Sequence, residues 1–407
     1  MLFYILIVVI LITASWLWGN FTRKCTLIIL SCKRNILTTI EIDMRRLCLI
    51  IILFSCTNLS FCQFRKYSNE FLNIGAGAKG LAMGGAQVSN TEDAMSGYWN
   101  PAGLAWVYNP DIGLMHADYF AGIAKYDFAS VAIPVKETKR TLGFSLLRFA
   151  VDDIPNTLFL VEPDGSINYN NIQSFSSADY AFLFSYAQRV IERDDLFMSF
   201  GVNAKVIHRK VGSFASAWGF GLDAGLQIHG QRWHAGAVVK DLTTTFNAWS
   251  FNFTDKEKEV LYLTNNDIPI HSTELTAPRL TIGGSYDFKL GKAVKLQPNL
   301  DLDLTFDGRR NTIVSSNAIN IDPHFGIEVS IKDVFFVRGG VTNFQKALAD
   351  GDTLNQKKVW IYQPSIGAGF KINNVTIDYA FSNLANQTNP LYTHVFSLSI
   401  NLGKKQE

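Results

Sequence analysis

The stretch VKLQPNLDLDLTF, residues 294–306, decides how this chain is read. Val294, Leu296, Pro298, Leu300, Leu302, Leu304 and Phe306 share one parity, and Lys295, Gln297, Asn299, Asp301, Asp303 and Thr305 share the other. Successive side chains on a strand point to opposite faces. The segment is therefore a strand with one apolar and one charged side; on a helix the same residues would be mixed around the axis. The alternation recurs at Val375, Ile377, Tyr379 and Phe381, at Leu280, Ile282, Tyr286, Phe288 and Leu290, and at Trp218, Phe220, Leu222, Leu226 and Ile228.

Followed along the chain, the period of two predicts about fourteen strands. They span 111–120, 124–135, 140–151, 177–190, 195–210, 216–229, 232–242, 275–290, 293–306, 322–332, 334–344, 359–372, 375–383 and 393–403. Many reach about ten residues, against about five or six in soluble sheets, which is the length of a tilted strand crossing a bilayer. The links between them alternate in length. Short ones fall near 136–139, 191–194, 230–231, 291–292, 333 and 373–374, and longer ones at 152–176, 243–274, 307–321, 345–358 and 384–392. Short turns at one end and long loops at the other are the layout of an outer-membrane barrel. Aromatics near the strand ends (Tyr119, Phe120, Trp233, Trp249, Trp360, Tyr362, Tyr392) suit its girdles. A soluble double sheet also alternates, but it explains neither the strand length nor the loop asymmetry. The expected fold is all-β: an antiparallel transmembrane β-barrel over 111–407.

Composition agrees. Of 407 residues 48 % are hydrophobic, 13 % aromatic and 18 % charged, below the roughly 25 % charged residues of soluble domains. Disorder is excluded by the apolar content. A net charge of +2 speaks against a nucleic-acid partner.

All the cysteines (Cys25, Cys32, Cys48, Cys56, Cys62) lie within the first 62 residues. A thiol enzyme, a Cys-zinc site and a disulfide scaffold are excluded from the rest. The cysteine-bearing segment reads as an address. Met44-Arg45-Arg46, the apolar run Leu47–Phe54 and small residues up to Cys62 have the layout of a secretory signal peptide. Met44 is thus the expected initiator, 44–62 the signal, and 1–43 a non-native extension. The apolar stretch 2–18 as a membrane anchor, and Leu53–Cys56 as a lipobox, are the alternatives.

Residues 63–110 break the alternation and are rich in Gly and Ala. A helical turn capped by Thr91 is expected at 91–96. Gly75-x-Gly77-x-x-Gly80 fits a dinucleotide fingerprint only by spacing, since neither the strand before it nor the helix and βαβ unit after it are visible. The glycines are better read as allowing a tightly packed path.

Within this segment, Gly80 to Ala86 (GLAMGGA), Asp93-Ala94 and Tyr98-Trp99-Asn100-Pro101-Ala102-Gly103-Leu104 resemble the N-terminal segment of FadL-like outer-membrane barrels. More narrowly, Tyr67–Gly75 together with Tyr98–Pro101 resembles the PorV/PorQ family of Bacteroidota. The resemblance implies a fourteen-stranded barrel in the outer membrane, plugged by 63–110, with Gly84, Gly85 and Tyr98–Leu104 as structural plug residues. It also implies a role in type IX protein secretion, with translocon or attachment-complex proteins and the C-terminal signal domains of secreted cargo as partners, besides outer-membrane lipid. The FadL-like side implies the alternative, passive transport of hydrophobic small molecules.

No catalytic or metal constellation is present, so neither an enzyme nor a cofactor is expected. His116, His208, His229, His234, His271, His324 and His394 are scattered; His229 and His234 flank a tight turn and are expected as lumen or surface residues. Asp301 and Asp303 are expected on a solvated lumen wall. The candidate partner-binding residues are Phe159 in one long loop and Phe246, Trp249 and Phe251 in another, because exposed apolar loop residues mark binding surfaces.

Overall fold

In this computed structural model residues 68–162, 164–268, 271–348, 358–382 and 392–403 are described. The expected extension 1–43 and signal 44–62 lie outside them.

The strands are β1 (Asp111–Tyr119), β2 (Ala124–Pro134), β3 (Arg140–Asn156), β4 (Gln173–Arg193), β5 (Leu196–Val211), β6 (Ala215–His229), β7 (Trp233–Lys240), β8 (Thr245–Phe251), β9 (His271–Thr276), β10 (Arg279–Tyr286), β11 (Phe288–Leu290), β12 (Val294–Thr305), β13 (Val314–Ser315), β14 (Asn320–Ile331), β15 (Phe335–Leu348), β16 (Lys358–Ile372), β17 (Val375–Ser382) and β18 (Thr393–Asn401). Neighbours pair antiparallel, and β1 pairs with β18 from Asp111↔Asn401 to Asp118↔His394, which closes the sheet on itself. β7 and β8 both lie along β6 and form one kinked wall strand. β9, β10 and β11 form the next, and β13 is a short addition against β14. The result is a closed barrel of fourteen antiparallel wall strands.

The wall follows the alternation in the sequence. On β12, Gln297, Asn299 and Asp301 are buried inside, whereas Leu300 is exposed outside. Trp218, Phe220, Ile282, Phe325, Ile366 and Phe396 are likewise exposed on the outer face. Such a surface is stable only where lipid rather than water covers it.

One expectation needs correction. Segment 243–274 is not a single loop. It contains β8, a helix at Asp255–Leu263 and β9. Phe246, Trp249 and Phe251 therefore stand on a wall strand, not on a loop. Asp241 and Thr244 adopt positive φ, 57° and 58°, and kink the wall between β7 and β8. Past this kink the alternation resumes: Phe246 faces outward against Phe220, and Trp249 turns inward. The helix starts with a capping box, in which Thr254 and Glu257 satisfy each other's backbone N–H groups.

The buried core lies in the lumen. Phe71, Leu72, Met95 and Tyr98 of the N-terminal segment pack against Tyr126, Phe128, Leu147 and Ile207 of the wall.

Candidate functional site: the lumenal plug and the cavity above it

Residues 68–110 run through the lumen as short helical pieces, Glu70–Asn73, Ala78–Ala82, Ser96–Trp99 and Pro101–Trp106. The turn expected at 91–96 begins only at Ser96. Thr91 does not cap it; its hydroxyl meets that of Ser96 at 2.9 Å, and Asp93 Oδ1 accepts the Met95 N–H.

Each residue of the Tyr98–Leu104 motif holds this path in place. Tyr98 Oη donates to the Leu72 carbonyl and accepts from the Gly75 N–H, both at 2.8 Å. Burial pushes its pKa up to about 12, so the phenol stays a donor. Trp99 Nε1 donates to the Ala76 carbonyl at 2.8 Å. Asn100 is fully buried. Its Oδ1 accepts from Ala102 N, which starts the Pro101–Trp106 turn, and its Nδ2 donates to the carbonyls of Val88 and of Leu226 on the wall. Pro101 and Ala102 press against Gly201, and Leu104 against Gly143. A side chain on Gly103 would collide with Thr91 and Ser96. Gly84 and Gly85 take left-handed φ of 64° and 85°, turning the chain after the Ala78–Ala82 helix.

The wall is moulded to this path. At Gly340, Gly236 and Gly201 a Cβ would run into plug backbone at Gly84, Val88 and Pro101. Between the glycines, wall side chains take up plug backbone groups. Asp301 Oδ2 accepts from Gln87 N at 2.7 Å and Val88 N at 2.8 Å, Asp111 accepts from Ala94 N, and Asn203 donates to the Gly97 carbonyl. Asp301 is thus not the solvated lumen residue expected from its parity; it is 1 % exposed. A cysteine at Asp301 should resist a small aqueous maleimide, one at Gln345 above the plug should react, and one at lipid-facing Leu300 should not. Rapid labelling at position 301 of the intact protein would show that the plug does not cover the wall.

His229 and His234 do meet, edge to face at 4.6 Å, and Trp106 stacks on His229 at 4.2 Å. Among the described residues no group of three or more His, Cys, Asp or Glu is arranged to hold a metal ion.

Above the plug, toward the long connections, lies a cavity of about 690 Å³. Plug rings (Phe71, Tyr98, Trp99) form its floor, and Tyr119, Phe120 and Phe149 part of its side. Charges complete the lining, and most are matched: Arg209 bonds Asp179 at 2.8 and 3.1 Å, and Arg279 sits 3.3 Å from Asp303. Lys240 differs. Its ammonium lies 4.5 Å above the Tyr98 ring and 5.9 Å from that of Trp99, and no carboxylate comes within ion-pair distance of it among the described residues.

The expected loop residues stand apart from this cavity. Phe159 lies half-buried in the connection after β3, where its carbonyl accepts from Asn171. Phe246 is on the outer face, and Trp249 lies beneath Arg209 at 5.2 Å. The cavity itself escaped the sequence reading, because Tyr98, Lys240 and Arg279 meet only once the barrel closes.

No family model matches the chain, and no curated protein matches it. Similar solved structures are FadL-like barrels. The toluene transporter TbuX of Ralstonia pickettii is 14 % identical over 80 % of this chain and 98 % of its own, with a TM-score of 0.48. The toluene transporter TodX of Pseudomonas putida is 12 % identical over 80 % and 98 %, with a TM-score of 0.49. A FadL homologue of Pseudomonas aeruginosa is 11 % identical over 80 % and 97 %, with a TM-score of 0.43. None of the comparisons matches the chain to the PorV/PorQ family, and at these values the likeness concerns barrel architecture and says nothing about ligand.

Proposed function

We propose that the chain is an outer-membrane barrel that takes small amphipathic molecules into the cavity above its plug, as a passive transporter. The cavity carries this reading. A concave site with aromatic walls and a few placed polar groups is the usual form of a small-molecule site. Lys240 adds selectivity. An ammonium set against rings with no carboxylate beside it keeps an unneutralised charge in the cavity, so an anionic group arriving there gains a charge-assisted hydrogen bond.

The resemblance to PorV/PorQ proteins supports a role in secretion only as far as its motif does. Tyr98, Trp99, Asn100 and Pro101 are engaged in seating the plug, and this structural task serves a transporter equally well.

Binding by the purified barrel tests the proposal. An anionic naphthalene sulfonate dye should bind in the cavity, and Lys240→Met should weaken it by about tenfold, the loss of one charge-assisted hydrogen bond. A neutral naphthylamine dye of similar size should bind both proteins alike. Equal loss for both dyes would mean that Lys240 merely supports the plug; binding of neither dye would remove the cavity as a ligand site.

A further inference from the structure

The alternation of the wall breaks on β15, beside the cavity. Gly340 and Thr342 face inward. A regular strand would continue with Phe344 inward and Gln345 outward. Instead the pairing with β16 slips between Thr342 and Gln345, and Asn343 takes a left-handed φ of 55°. This is a β-bulge, which re-aims side chains beside functional sites. Phe344 meets the outer face, its ring 6.3 Å from that of Phe325 and 6.2 Å from that of Tyr362. Thr342, Asn343 and Gln345 all line the cavity. A strand that would have shown the cavity an aromatic ring shows it two carboxamides.

Gln363, paired with Thr342 from β16, adds a third carboxamide. All three are half-buried, and among the described residues none has a side-chain hydrogen-bond partner. Ser382 on β17 also lines the cavity; it is 5 % exposed, and its Oγ has no partner among the described residues. Buried polar groups are ordinarily paired, so this sector offers hydrogen bonds that the protein itself leaves unmade.

A carboxamide both donates and accepts, without charge, and so does a hydroxyl. The two suit each other better than an amide suits an ion. A wholly apolar molecule seated here would strip water from the amides and return nothing. Another sector of the lining, on β1, just after it and on β3, is aromatic: the Tyr119 and Phe120 rings lie 4.2 Å apart, and those of Tyr119 and Phe149 6.0 Å apart. The matching ligand carries several hydroxyls close together and an apolar part beside them.

We propose that the cavity binds a small free glycoside, whose sugar hydroxyls bond Asn343, Gln345, Gln363 and Ser382 while its aglycone lies against Tyr119, Phe120 and Phe149. This rests on the cavity being a ligand site and names the class of ligand.

Fluorescence titration of the purified barrel, in a detergent without sugar, tests it. The probes are 4-methylumbelliferyl β-glucopyranoside and 7-methoxy-4-methylcoumarin, which differ only in sugar against methyl. The glucoside should bind about tenfold more tightly, the effect of two or three added hydrogen bonds. Gln345→Met or Gln363→Met should each weaken the glucoside about fivefold, the loss of one such bond, and change the methyl ether far less. Neither substitution removes a hydrogen bond from the folded barrel, and the naphthalene sulfonate dye reports that the cavity is intact in both variants. Equal affinity for the two coumarins, or a preference that survives both substitutions, would overturn the glycoside. If the sulfonate dye still binds in a Lys240-dependent way, the cavity stands as a ligand site without it. Binding of neither coumarin nor the dye would remove the glycoside and the cavity site together.

Discussion

Excising residues 76–106 is expected to turn a nearly silent barrel into an open pore, with single-channel conductance in planar bilayers rising on the order of tenfold or more. Barrels of about eight strands are filled by their own side chains, and those of about sixteen leave an aqueous channel. Fourteen strands fall closer to the second case, so the lumen is sealed by the plug rather than by the wall. The inward wall residues exposed by the excision are polar (Asn203, Ser185, Asp223, Gln227) and would line a wet channel. The excision also removes Ala76, Ala78, Ala82, Met95 and Tyr98 from the buried cluster, so lower thermal stability should accompany the opening. Gly340→Val is a gentler version: its side chain must displace the backbone at Met83 and Gly84, and it should leak as well. Unchanged conductance in both variants would place the seal elsewhere.

The second large effect belongs to the outer face. Leu300→Arg should cost about 2–4 kcal/mol of folding stability in a bilayer, the range for a cation near the midplane of a barrel wall. Leu300 is exposed and has apolar outward neighbours on both sides along β12. Reversible urea unfolding into and out of lipid vesicles measures the difference. An arginine at Gln345, which lines the cavity, should cost far less because water reaches it. Equal costs at the two positions would argue that lipid does not cover Leu300.

The wall was legible because its pattern is local. β12 announces itself in thirteen residues, and the antiparallel pairing repeats that alternation around the barrel. β8 was missed for a local reason too. Its alternation is short, and Asp241–Thr244 interrupt it, so Phe246, Trp249 and Phe251 looked like apolar loop residues. The Thr254-x-x-Glu257 capping box was present in the sequence and marks the helix that breaks up the supposed loop. Other features are not local at all. The parity of Asp301 gave its direction, but its partners Gln87 and Val88 lie more than two hundred residues earlier. No pattern along β12 could show that a carboxylate facing the lumen meets plug backbone instead of water. The same holds for Lys240, whose place over Tyr98 depends on how the plug sits.

The wall glycines facing the plug carry a consequence for biogenesis. The last seam to form joins β1 to β18, whose residues are nearly three hundred positions apart, and it must wait for the C-terminus. The N-terminal segment is made first, and it touches wall residues as distant as Gly340 and Ser365 at single-atom clearance. A finished cylinder offers no side entrance for a chain fitted that closely. The expected order of assembly is that the strands wrap around a plug already in place, with the earliest part of the polypeptide serving as the mandrel on which the later part is shaped.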